Sequence, residues 1–143
     1  MIPETTIKIC GKEVKMIYCA ATENGYEDLS NKSISVFVPE FGKDDEGNDI
    51  IVKPAQAHIG DFVTLAVAGI VAYYAKNKQE VPITAEEILY DAKPVERNEL
   101  IAEIVRLRTE WYNVPDVVKP DIKPDEKGEK PKNAQPPTTD TKS

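Results

Sequence analysis

The chain has 143 residues, the length of one domain, and carries 18 Lys and Arg against 25 Asp and Glu for a net charge of −7. From Lys119 to Ser143 six lysines face five acids, so the preceding part holds a charge of about −8. That sign argues against nucleic acid, whose affinity for proteins comes mostly from Lys and Arg on phosphates, and suits a soluble protein with a partly basic protein partner.

Thr5 to Tyr18 alternates apolar and polar residues around Gly11-Lys12, which predicts a hairpin with Gly at the first position of a type II′ turn. In that register Cys10 faces Glu13, Ile9 faces Val14, Lys8 faces Lys15 and Ile7 faces Met16. One side then carries Ile7, Ile9, Val14, Met16 and Tyr18. Cys10 at the turn and Cys19 at the open end are too far apart for a disulfide. Two cysteines and an N-terminus, MIPETTIKIC, without signal-peptide character place the chain in a reducing compartment.

Cys19 to Ser30 drops the alternation, and Ala21, Tyr26 and Leu29 share a helical face; Asn31, able to adopt the left-handed conformation, closes that helix. Ser33 to Val38 returns to alternation, with Ile34, Val36 and Val38 on one side, which predicts a strand. Between Pro39 and Gln56 the acids of GKDDEGND invite a calcium-loop reading, but the sixth residue from Asp44 is Asp49 and from Asp45 is Ile50, where such a loop takes Gly. An exposed hairpin turn around Gly47-Asn48 fits better.

His58, the single histidine, has no acid or Cys at ligand spacing and reads as a helix-start or surface residue. It precedes DFVTLAVAGIVAYYA (Asp61 to Ala75), in which only Thr64 is plainly polar after the opening acid. A helix apolar all round is a buried one. Burying Phe62, Leu65, Val67, Ile70 and Tyr73 at roughly 1.5 to 3 kcal/mol each contributes on the order of 10 kcal/mol, comparable with the net stability of a small domain. The run falls short of the roughly 20 residues of a membrane span and is flanked by charges. Ala66, Ala68, Gly69 and Ala72 give neighbouring segments close access to its backbone.

Thr84 with Glu87 forms a capping box and Ile83 with Ile88 a hydrophobic staple, predicting a helix to about Ala92. Pro94 opens the last helix, in which Leu100, Ile104, Leu107 and Trp111 make one apolar stripe, ended by Asn113 and Pro115. These two helices are not a DNA-reading pair, because Glu96, Glu99, Glu103 and Glu110 would meet phosphates. Six of the eleven prolines follow Asn113 and apolar residues thin out after Ile122, so residues 116–143 read as a disordered Pro/Lys/Asp-rich tail behind a domain of residues 1–115. That domain is α+β: an N-terminal β-hairpin and short strands packed on about four helices, one of them central and buried.

Chemistry is not visible in the sequence. The seven glycines are scattered, so no phosphate loop forms; no Ser or Cys nucleophile has a base other than His58; the carboxylate pairs Asp44-Asp45 and Glu86-Glu87 sit at a loop and at a helix start. No cofactor or metal is expected. The chain reads as a binding or structural module, with an acidic DNA-mimic inhibitor or another protein-interaction module as the alternative. The mimic needs a row of carboxylates, and here the acids alternate with Lys and Arg.

A hairpin turning at Gly11-Lys12-Glu13, running into AATENGYEDLSNKS (Ala20 to Ser33) and followed by an apolar helix and two helices ending near a tryptophan, resembles the tail assembly chaperones of long-tailed bacteriophages and prophages, in which an igGkey hairpin precedes a helix closing on tGkS. The resemblance covers about residues 5 to 115. Asn31 stands where the pattern often has Gly, and Lys43 to Asp49 has no counterpart. It implies a non-enzymatic protein of the host cell cytoplasm that binds the largely helical tape-measure protein, assists tail-tube polymerisation and leaves before the virion is complete. The partners it implies are the tape-measure and tail-tube proteins, with homo-oligomers also allowed, and no membrane. In many family members a frameshifted longer form exists, and Lys119 to Ser143 suits its junction or a tether. Leu107, Trp111 and Tyr112 at the end of the last helix are the candidate partner-binding residues, since Trp and Tyr are enriched at interface hot spots; Trp111 serves equally well as the last residue of the core stripe.

Overall fold

Cys10 and Gly11 both take left-handed backbone conformations, φ 54° and 74°, and this pair of residues, not Gly11-Lys12, forms the turn of the first hairpin. Two positive φ values make a type I′ turn, whose twist matches that of the strands it joins. A β-carbon in that conformation is held by tertiary contacts: the Cys10 backbone N–H donates to Glu96 Oε2 at 3.2 Å and its Sγ donates to the Glu87 carbonyl at 3.6 Å. The expected register is therefore corrected by two residues. β1 (Glu4–Ile9) and β2 (Lys12–Ile17) pair Ile7 with Val14, Lys8 with Glu13 and Thr6 with Lys15. An even shift leaves the faces unchanged, so Ile7, Ile9, Val14 and Met16 are still buried together. It also removes the expected Lys8–Lys15 repulsion.

The structure, a computed structural model, describes residues Met1–Asn113; the expected tail of residues 116–143 lies outside the described residues. After the hairpin come α1 (Ala20–Ser30), a 3-10 turn (Ile34–Phe37), β3 (Glu40–Lys43), β4 (Asp49–Lys53), α2 (Ile59–Lys76), α3 (Ala85–Asp91) and α4 (Pro94–Asn113). The fold is α+β; among the described residues it has two separate two-stranded antiparallel sheets and four helices, of which α2 is the central one.

The face of α1 differs from the expected one. Thr22 and Tyr26 are its buried residues, while Ala21 and Leu29 are exposed. A buried threonine is tolerable because its hydroxyl donates to the Ile17 carbonyl at 3.0 Å and accepts the Cys19 N–H at 3.2 Å. Asn31 closes the helix in the left-handed conformation, φ 58°.

Ser33 to Val38 is not a strand. The Ser33 side chain caps a single 3-10 turn by accepting the Ser35 N–H, and the turn drives Phe37 inward, where it meets Tyr26 and Phe62 edge to face, each at 5.0 Å between ring centroids. Burying one aromatic between two helices outweighs the weak β preference of the alternation. The turn at Gly47, φ 84°, does join two exposed strands, and Asp44 Oδ1 accepts the Glu46 and Asn48 N–H groups at 2.9 and 2.8 Å.

α2 packs on α1, β2 and α4. Its small residues give the close approaches: a β-carbon at Gly69 would lie 2.7 Å from the Ile17 carbonyl oxygen, and one at Gly25 of α1 would lie 3.3 Å from Ala68 Cβ. α4 adds Leu100, Ile104 and Leu107, all fully buried. α2 is apolar enough to pass for a membrane span by length and composition, and half of it is buried inside the protein.

Candidate functional site

α2 is covered on three sides only. Ile59, Val63, Val67 and Val71 recur every four residues and form one stripe along it; Val71 is 43 % exposed and Ile59 also faces solvent. At 1.5 Å per residue the stripe is about 18 Å long. The expectation of a helix with no wet face is corrected here. α3 has seven residues, too few to roof an α2 of 18.

The uncovered stripe is the floor of a groove. Leu29, at the end of α1 and 57 % exposed, forms one wall; Ala85 and Leu89 of α3 form the other, with Leu89 71 % exposed, and Arg97 of α4 closes one end. This part encloses about 500 Å³. A second hollow of about 250 Å³ continues it along Val71, Val81 and Ile83 and shares Leu29, Val67 and Ala85 with the first. Among the described residues Arg97 is the single charged residue lining either hollow, and the rest of the lining is apolar apart from Gly60, Thr64 and Thr84.

α3 is fixed in place from both ends of the sequence. Its Thr84–Glu87 capping box is complete, with Glu87 N–H to Thr84 Oγ1 and Thr84 N–H to Glu87 Oε1 both 3.0 Å. Ile83 and Ile88 are buried beneath it. Lys12, beside the hairpin turn, reaches Glu87 Oε2 at 2.8 Å and the Pro82 carbonyl at 2.9 Å. That Lys12 bond and the Thr84 amide together hold the Glu87 carboxyl below its usual pKa.

The floor begins at a buried carboxylate that residue spacing did not single out. Asp61 is 5 % exposed. Its oxygens accept the His58 backbone N–H at 2.9 Å, the Tyr26 hydroxyl at 2.9 Å and the Lys32 ammonium at 3.0 Å. Burial opposes the charge, but these three donors outweigh it and the carboxyl stays below its usual pKa. Such an acid is ionised and fully engaged, so it anchors the start of α2 against α1.

The three partner-binding candidates end up in different surroundings. Leu107 is fully buried in the core, Trp111 is half-buried against it, and Tyr112 is exposed. The Tyr112 hydroxyl donates to Glu23, which also accepts the buried Tyr18 hydroxyl at 2.7 Å, and the Arg108 guanidinium lies over the Tyr112 and Phe37 rings at 5.1 and 5.8 Å. Burial, then the bond to Glu23, pushes both tyrosines above their usual pKa. This cluster fastens the end of α4 to α1, and the buried Arg108 Nε is left without a hydrogen-bond partner among the described residues.

Among the described residues no three His, Cys, Asp or Glu side chains converge as a metal site. Cys10 and Cys19 are free thiols. Compared with protein-family models, curated proteins and solved structures, the chain matches none.

Proposed function

We propose that the chain is a non-enzymatic tail assembly chaperone of a long-tailed phage or prophage, which holds an amphipathic helix of the tape-measure protein in the groove between α1, α2 and α3 and so keeps that client soluble while the tail tube polymerises around it. The observation that carries the reading is the uncovered apolar stripe of α2 between Leu29 and Leu89. Its length matches about three turns of helix, enough to take the i, i+4 and i+7 anchors of helix-in-groove recognition, which span about two turns. The net charge of −7 supplies the repulsion that keeps a complex with an apolar client in solution. The tape-measure protein is chosen as client on the resemblance of the hairpin and first helix. The proposed place of action is the host cytoplasm.

Co-expression with a phage tape-measure protein from the same genome tests the reading. The wild-type chain is expected to co-purify with that protein and keep it soluble. Leu89→Glu, at a side chain already exposed, is expected to weaken the complex about 30-fold, corresponding to about 2 kcal/mol of lost apolar contact. Tyr112→Ala is expected to bind like wild type. If Tyr112→Ala abolishes binding and Leu89→Glu does not, the client docks at the end of α4 and the groove reading falls.

A further inference from the structure

β4 reads Asp49-Ile50-Ile51-Val52-Lys53, and all five side chains are exposed. Three apolar residues in succession put apolar groups on both faces of a strand, the pattern of a strand covered on both sides. Among the described residues β4 pairs with β3 alone, so its outer edge is free, and neither face is packed on the core. The neighbouring strand adds Phe41, opposite Ile51 and also exposed. Isolated two-stranded ribbons are marginal in water, and an exposed apolar edge is a template for another strand.

The order of residues in β4 selects that strand. Laid antiparallel to itself about Ile51, the segment pairs Asp49 with Lys53, Ile50 with Val52 and Ile51 with Ile51, and the same pairs recur on the other side of the axis. Opposite charges meet at both ends and apolar residues meet between them. This is the self-complementarity an isologous two-fold contact requires. A register shift of two residues in either direction sets an end charge against an apolar residue or leaves it unpaired, so the charges fix the register even though exposed ion pairs contribute little energy. Within one chain Asp49 already bridges Lys43 at 2.6 Å; in the pair it lies between that lysine and the second copy's Lys53. Gly42 leaves room for the Val52 side chain across the ribbon, since a β-carbon there would lie 2.9 Å from Val52 Cγ1.

We infer that β4 is a homodimer interface: two copies of this chain join edge to edge through antiparallel β4 strands about a two-fold axis at Ile51, giving a four-stranded sheet in the order β3-β4-β4-β3. The interface lies on the ribbon between the 3-10 turn and α2, and shares no residue with the groove lining, so it stands or falls apart from the client-binding proposal.

Sedimentation of the full chain and thiol trapping test it together. The wild-type chain is expected to sediment at about twice its 15.9 kDa mass, and Ile51→Lys, which sets two ammonium groups on the axis, is expected to sediment as a monomer with an unchanged circular dichroism spectrum. Residues directly opposite in an antiparallel pair have Cα atoms about 4.5 to 5.5 Å apart, inside the range for a disulfide. Ile51→Cys is therefore expected to oxidise to a covalent dimer joined through the two introduced thiols, whereas Leu89→Cys is not. A full-length wild type that stays monomeric at hundreds of micromolar overturns the inference, whether the edge is bare or residues 114–143 cover it. So does a dimer that Ile51→Lys leaves intact.

Discussion

Asp61 ties the start of α2 to the preceding segment, because its Oδ1 accepts from both Tyr26 and Lys32 while its Oδ2 accepts the His58 N–H. Asp61→Asn keeps the shape and removes the charge that these donors satisfy. It is expected to cost about 2 kcal/mol in urea unfolding at pH 7, the scale of a charged hydrogen bond lost in the interior. Lys32→Ala, which removes an exposed partner, is expected to cost less. The folded-state pKa of Asp61 is depressed, so its stabilisation is fully present above the unfolded value of about 3.9 and disappears as pH falls through the folded one. The stability gap between wild type and Asp61→Asn should accordingly be constant from pH 7 down to about pH 5 and close below pH 4; a gap that widens on acidification would refute the assignment. The sequence shows the acid at the head of the apolar run. Its meeting with Tyr26, 35 residues away, is not legible there, because that requires knowing how α1 crosses α2.

Among the elements, those defined by local chemistry are legible and those defined by packing are not. The Thr84–Glu87 box, the left-handed Asn31 and the stripe of Leu100, Ile104 and Leu107 stand where their spacing puts them. The hairpin turn moved by one residue because Glu96 and Glu87, from far along the chain, hold Cys10 in a conformation a sequence rule gives to Gly or Asn. The expected strand at Ser33 to Val38 became a 3-10 turn because Phe37 had a cavity between two helices to fill. The small residues of α2 were legible as close-approach sites, and Gly69 tests them. Gly69→Ala would gain about 1 kcal/mol of helix propensity yet drive a methyl against the Ile17 carbonyl and against Met16 Cγ at 2.9 Å. A net loss of about 1 to 3 kcal/mol is expected. Gly60→Ala, which points into open space, should be neutral or stabilising in the same assay.

For the molecule as a whole, composition announced an acidic α+β domain built on one apolar helix, and that architecture is present. The groove could not be foreseen. An all-apolar helix does not reveal which of its sides stays uncovered; that is decided by the length of α3 and by where α1 stops, both consequences of tertiary packing. Of the residues chosen from the sequence as a binding face, Leu107 lies in the core, Trp111 packs against it and Tyr112 is exposed beside Glu23 and Arg108, since the same residue types serve cores and interfaces. The distinction between the two surfaces is directly measurable. Methyl resonances of Val63, Val67, Val71 and Leu89, recorded while the full chain is titrated with helical segments of the tape-measure protein, are predicted to shift together and saturate at one stoichiometric equivalent, with Leu107 unmoved. Saturable binding that leaves those four methyls in place would contradict the account.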